Sequence, residues 1–104
     1  MDMIIYNVTV TVEEDIKEDW LHWMRNKHIP EMMSCGIFIK SQIKKVITQR
    51  DSENTFAIAY TCSSMKDLHQ YQINFSDNLQ KEHIARYGDK AVAFRTVMEV
   101  IEEF

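Results

Sequence analysis

Glycine and proline are scarce, with 2 Gly and 1 Pro in 104 residues, where ordinary usage would give about 7 and 5. Phosphate-cradling loops need two or three glycines within about six residues, so that backbone N–H groups can approach the anion. Gly36 and Gly88 stand alone, which excludes both a Walker-type loop and a dinucleotide fingerprint. Cysteine is equally sparse. Cys35 and Cys62 form no C-x-x-C pair, so a disulfide framework or a Cys-rich zinc site has no basis and two reduced thiols are expected. There is no excess of positive charge, since 12 Lys and Arg face 16 Asp and Glu for a net charge of -4. The longest basic run is Lys44-Lys45. Nucleic-acid binding, which draws its affinity from phosphate neutralisation, is not expected. No apolar run comes near the ~20 residues that span a bilayer, the longest being Met3 to Tyr6 and Phe56 to Tyr60. Met1-Asp2-Met3 carries an acid where a signal peptide needs a basic region, so no membrane association and a cytoplasmic location are expected.

What is present is globular: 45% hydrophobic and 27% charged residues, in a length that accommodates one core. A single domain over 1-104 follows, with long elements and few elaborate loops. Ile4, Tyr6, Val8, Val10 and Val12 alternate with Ile5, Asn7, Thr9 and Thr11, the period of a strand with one large-apolar face. Acids at 13 to 19 then precede Ile16, Trp20, Trp23 and Met24 at helical spacing, which predicts a helix over about 13–28. Pro30 predicts a kink at His28-Ile29-Pro30, a short turn through Met33 and Gly36 as C-cap. Ile37 to Ile47 and Thr55 to Cys62 read as a hairpin around the polar turn Gln49 to Asn54. Ser63 or Ser64 followed by Asp67 resembles a capping box. It opens one long helix with Leu68, Tyr71, Phe75 and Leu79 inward, ending at Tyr87-Gly88. Residues 91 to 101 supply the last strand.

The order β-α-β-β-α-β is the ferredoxin-like arrangement, an α+β fold in which a four-stranded antiparallel sheet carries two helices on one face. The other face is left open. Reading the small residues of each strand as that face gives Asn7, Thr9, Thr11, Ala57, Ala59, Thr61, Ala91, Ala93, Arg95 and Val97. Such a surface suits a partner. A homodimer closing face to face into a dimeric α/β barrel is expected.

The opening Met3-Ile4-Ile5-Tyr6-Asn7-Val8-Thr9-Val10, the segments Trp20-Leu21-His22-Trp23-Met24 and His28-Ile29-Pro30-Glu31, and the closing Ala85-Arg86-Tyr87-Gly88-Asp89 and Ala93-Phe94-Arg95-Thr96 resemble a family of small uncharacterised bacterial proteins. In architecture the chain is similar to the dimeric α/β-barrel group, which includes cofactor-independent oxygenases, isomerases and small-ligand binders. Trp20, Trp23, His28 and Pro30 also resemble the Trp-rich first helix ending in His-x-Pro of that group's ring-degradation-associated proteins. The resemblance implies a fold far more than an activity.

His28 is the candidate catalytic residue, because imidazole titrates near neutrality and a helix kink can set it at a cavity mouth, with Glu31 to orient it. The competing structural role is a helix cap or a partner for a carbonyl freed at the kink. Arg95, with Asn7, Thr9 and Thr61 expected on its side of the sheet, is the candidate ligand-binding group, since a guanidinium forks onto a carboxylate. The competing role is an ion pair with Glu99 or with a partner chain. Trp20 and Trp23 read first as core, as do Tyr6 and Tyr60. His22, His28, His69 and His83 form no H-E-x-x-H and no i, i+4 pair, so neither metal nor cofactor is expected. A homodimeric small-molecule binding or sensing domain leads, ahead of a cofactor-independent oxygenase, dehydratase or isomerase and a protein-interaction module. A dimer cavity holding both His28 and Arg95 would point to chemistry, one holding Arg95 alone to binding, and a filled lumen to interaction.

Overall fold

The structure, a computed structural model, describes residues 3–47 and 54–104. Strands β1 (Ile4–Val12), β2 (Lys40–Lys45), β3 (Thr55–Cys62) and β4 (Ala91–Glu99) form one antiparallel sheet in the order β2-β3-β1-β4. The expected turn at Gln49 to Asn54 lies outside the described residues except for Asn54.

The first helical stretch is continuous but changes pitch. A 3₁₀ turn at Glu14–Ile16 leads into α1 (Lys17–Trp23), then a π-helical turn at Met24–His28, then α2 (Ile29–Ser34). The expected kink is thus replaced by a wider turn, because Pro30 has no N–H to offer the carbonyl four residues back. The Ile29 N–H bonds to the Met24 carbonyl, five residues back, and the Asn26 amide donates to the His22 carbonyl at 2.8 Å. Gly36 lies at φ 79, ending the helix in the left-handed conformation that glycine takes without strain.

The second helical stretch is divided into α3 (Met65–Asn74) and α4 (Ser76–Tyr87) at Phe75, whose φ of -128 is not helical. The break turns Phe75 outward, 36% exposed, against the expectation that it joins the inner stripe. Leu68, Tyr71 and Leu79 are buried as expected. Ser64 caps α3 by accepting from the Asp67 N–H at 3.1 Å. Replacing Ser64 by Ala is expected to lower stability by about 1 kcal/mol, read as a shifted denaturant midpoint at unchanged slope.

All helices cover one face of the sheet. Ile4, Tyr6, Val10 and Val12 from β1 and Phe56, Ile58, Tyr60 and Cys62 from β3 are buried beneath Trp20, Trp23, Met24, Met32, Leu68 and Tyr71. The inner face of β4 corrects the sequence reading. Val12 pairs with Ala91, Val10 with Ala93 and Val8 with Arg95, so the small residues and Arg95 face the helices. Val92, Phe94 and Met98, 62%, 61% and 43% exposed, lie on the uncovered face. The physical reason is volume: β1, β3 and the helices already supply seven aromatic side chains to the inner layer, and the strand beside them carries little bulk.

Candidate functional site

A cavity of ≈ 40 Å³ lies between the sheet and the helix layer, and both His28 and Arg95 line it. By the usual minimum per water it has room for about three water molecules. β1 and β3 contribute Tyr6, Val8, Val10, Ile58 and Tyr60. Space remains there because β4 contributes only Ala93 at this level before Arg95.

The π-helical turn positions His28. It inserts one residue into the ordinary helical repeat, a device that recurs at functional sites, and carries His28 inward until it is only 9% exposed. Its ring stacks on Trp23 at 4.9 Å and 26°, and His83 approaches edge-on at 6.0 Å. His28 makes no side-chain hydrogen bond among the described residues, and its buried Nδ1 has no partner. The helix-capping alternative is therefore not what the side chain does. Burial lowers its pKa to about 4, reinforced by the His83 ring and weakly opposed by Glu31. Glu31 does not orient it, since its carboxylate is taken by Lys27 one turn earlier. An unpartnered buried polar atom costs about 1–3 kcal/mol, and in a native fold it asks for a reason.

Arg95 reaches the same space from the opposite wall. Its charge is felt at His28, His83 and Tyr71, yet among the described residues it makes no ion pair and no hydrogen bond. The expected pairing with Glu99 is absent there. Asn7, Thr9 and Thr61 do not join it. Thr9 pairs with Phe94 and Ala57, and Asn7 with Thr96 and Ala59, which places them on the uncovered face, where the Asn7 amide donates to Thr9 Oγ1 at 3.1 Å. Thr61 pairs with Ile5 on that same face. The four residues expected to form one binding group are thus split by the sheet, and Arg95 falls beside His28 instead.

Sequence reasoning passed over His83, Tyr71 and Gln80, which also line the cavity. A signal for His83 was present, since it lies one helical turn from both Leu79 and Tyr87 on the inward stripe of α4. The Trp20 indole N–H donates to His83 Nε2 at 2.9 Å, and burial lowers the His83 pKa, with Arg95 adding to the effect. α4 is pinned to α1 beside this pair, as the Tyr87 hydroxyl donates to Asp19 at 2.8 Å and Arg86 Nε donates to the Tyr87 oxygen at 3.0 Å. The Tyr71 hydroxyl donates to Met32 Sδ at 3.3 Å. Burial raises the pKa values of Tyr60 and Tyr71, so both remain neutral. Among the described residues none that lines the cavity is an Asp or Glu. Its ionic character is one guanidinium among neutral rings, which fits an anion. Among the described residues no group of three or more His, Cys, Asp and Glu side chains could hold a metal, and no helix is long and apolar enough to cross a membrane.

Solved structures share this fold across the full chain. A dimeric ferredoxin-like protein from an uncultured marine organism has a TM-score of 0.79 at 11% identity, covering 100% of both chains. An EthD-like protein from Ralstonia eutropha JMP134 gives 0.75 at 18% identity, covering 98% of this chain and 95% of the other. SnoaB, a cofactor-independent oxygenase from Streptomyces nogalater, gives 0.71 at 10% identity, covering 99% and 97%. Among curated proteins none matches. At these identities the likeness establishes architecture only. The sequence pattern that defines the domain of unknown function DUF4286 matches residues 3–101, and the chain belongs to that family.

Proposed function

We propose that this chain binds a small organic anion in the cavity between Arg95 and His28. The observation that carries the reading is that an unpaired, solvent-reached guanidinium and a buried, unpartnered imidazole nitrogen line one cavity that opens to solvent. A bound carboxylate would give Arg95 a counter-ion, and a polar group beside that carboxylate would give His28 the partner it lacks. Two chains associate through the uncovered sheet face, where Val92, Phe94 and Met98 are exposed; the dimeric ferredoxin-like neighbour supports this. Two free thiols, Cys35 and Cys62, suit a reducing compartment such as the cytoplasm.

The sharing of one cavity by His28 and Arg95 also favours a second reading, proton transfer on the bound acid. His28 would take a proton from an acidic C–H or O–H of the ligand and return it at another atom, an isomerisation that balances without any co-reactant. SnoaB, of the same fold, is described as cofactor-independent.

Calorimetric titration with a panel of small carboxylates tests the binding reading. Arg95→Met is expected to leave the ligand-free melting temperature unchanged, since no protein carboxylate is stranded. Affinity for the responding acid should fall about 100-fold. A wild-type chain indifferent to every acid, or an Arg95→Met chain that binds as before, would end the proposal.

A further inference from the structure

Resting on that anion-binding reading, we propose that Trp20 is a positioning residue that fixes the His83 tautomer, and that the ligand is a small hydroxy-carboxylate or enolic carboxylate rather than a simple carboxylate.

The indole N–H can only donate. His83 Nε2, 2.9 Å away, must therefore accept and cannot carry a proton. The proton of the neutral ring then sits on Nδ1, which makes no hydrogen bond among the described residues. A second proton on Nε2 would set two N–H groups against each other, so the bond also holds the ring neutral. Trp20 is fully buried and its ring packs on Phe56 of the sheet at 5.2 Å, so the donor is held in place by the core.

The consequence is a cavity with assigned roles. Arg95 and His83 Nδ1–H donate, and the Tyr71 proton is engaged by Met32 Sδ. His28 Nε2 is not buried without a partner, so the ring proton sits there without leaving an orphaned N–H, and the buried Nδ1 is an open acceptor. A simple carboxylate can satisfy the two donors but has no proton to offer His28. A carboxylate with an adjacent hydroxyl or enol O–H satisfies all three. With a cavity of ≈ 40 Å³, only the acid head of such a molecule fits inside.

Imidazole ¹⁵N spectra of the ligand-free protein, followed by titration with glycolate and acetate, test this. The His83 signal is expected to report the Nδ1–H tautomer, and glycolate is expected to bind about tenfold tighter than acetate. In Trp20→Phe the tautomers should mix and most of that preference should vanish. If Trp20→Phe does not fold, two His83 variants replace it. His83→Gln keeps an acceptor for the indole and a donor for the ligand and should retain the preference, whereas His83→Leu should lose it. An Nε2–H tautomer in the wild type, or an unchanged preference in Trp20→Phe or His83→Leu, overturns the role of Trp20. Equal binding of the two acids overturns the ligand class while leaving the anion site standing. Binding of neither acid overturns that class and counts against the anion site itself.

Discussion

Lowering the pH from 7 toward 4 is expected to remove about 3 kcal/mol of stability through His28 alone, and His28→Phe should remove most of that dependence. The native pKa of about 4 lies below the ordinary 6.5. In this interval the unfolded chain takes up a proton that the folded chain refuses. The contribution is complete above pH 6.5 and is lost as the pH falls through 4, at about 1.4 kcal/mol for each pH unit separating the two values. His83, shifted the same way by burial, adds to the loss. Phenylalanine keeps a ring against Trp23 and has no nitrogen to protonate. The carboxylates whose pKa values are lowered, Glu14, Asp15 and Glu31, act at lower pH and are common to both proteins. Urea titrations at fixed protein concentration, at steps from pH 7 to 4.5, check the difference. Parallel curves for the two proteins would mean that His28 is not held neutral by its surroundings.

The second large effect is expected from Phe94→Asp. Phe94 and Val92 are more than half exposed on a sheet face that none of the described helices covers. Their cross-strand neighbours there are Thr9 and Thr11. The β2 side of the same face carries Lys40, Gln42 and Lys44, paired with Thr61, Ala59 and Ala57, so the apolar half lies over β1 and β4. A stable interface buries at least about 1,000 Å² in total, and one aromatic ring removes roughly 150–250 Å² from water. A two-fold interface duplicates every change. Each Asp is thus introduced twice, and the dimer should weaken by at least about 100-fold. Light scattering at micromolar concentration is expected to give twice 12.4 kDa for the parent and 12.4 kDa for the variant. A parent already at the lower mass would refute the face-to-face assembly.

The element order was legible because β1, β3 and the helical stripes contrast sharply between their faces. Tyr6 and Val10 against Asn7 and Thr9 leave no doubt which side is core. β4 offers no such contrast, since Val92, Phe94 and Met98 alternate with Ala91, Ala93 and Val97. Periodicity separates two such faces without saying which is covered. The large one was taken as inward, and Arg95 was thereby assigned to the wrong layer. His28 could be singled out because Pro30 disturbs the hydrogen-bond ladder beside it. His83 sits in an undisturbed helix, and its partner Trp20 is 63 residues away, a separation that local patterning does not reach.

The π-helical turn bears on what kind of genetic change the chain tolerates. Each residue of a regular helix advances the next by about 100°. The π turn closes over five residues where an α turn closes over four, so it takes up one extra residue while α1 and α2 keep their facing. Deleting one residue between Met24 and His28 would restore ordinary pitch and leave Trp20 and Trp23 on the sheet. What changes is the turn that sets His28. Related chains that lack the wide turn should therefore have one residue fewer between Trp20 and Met32.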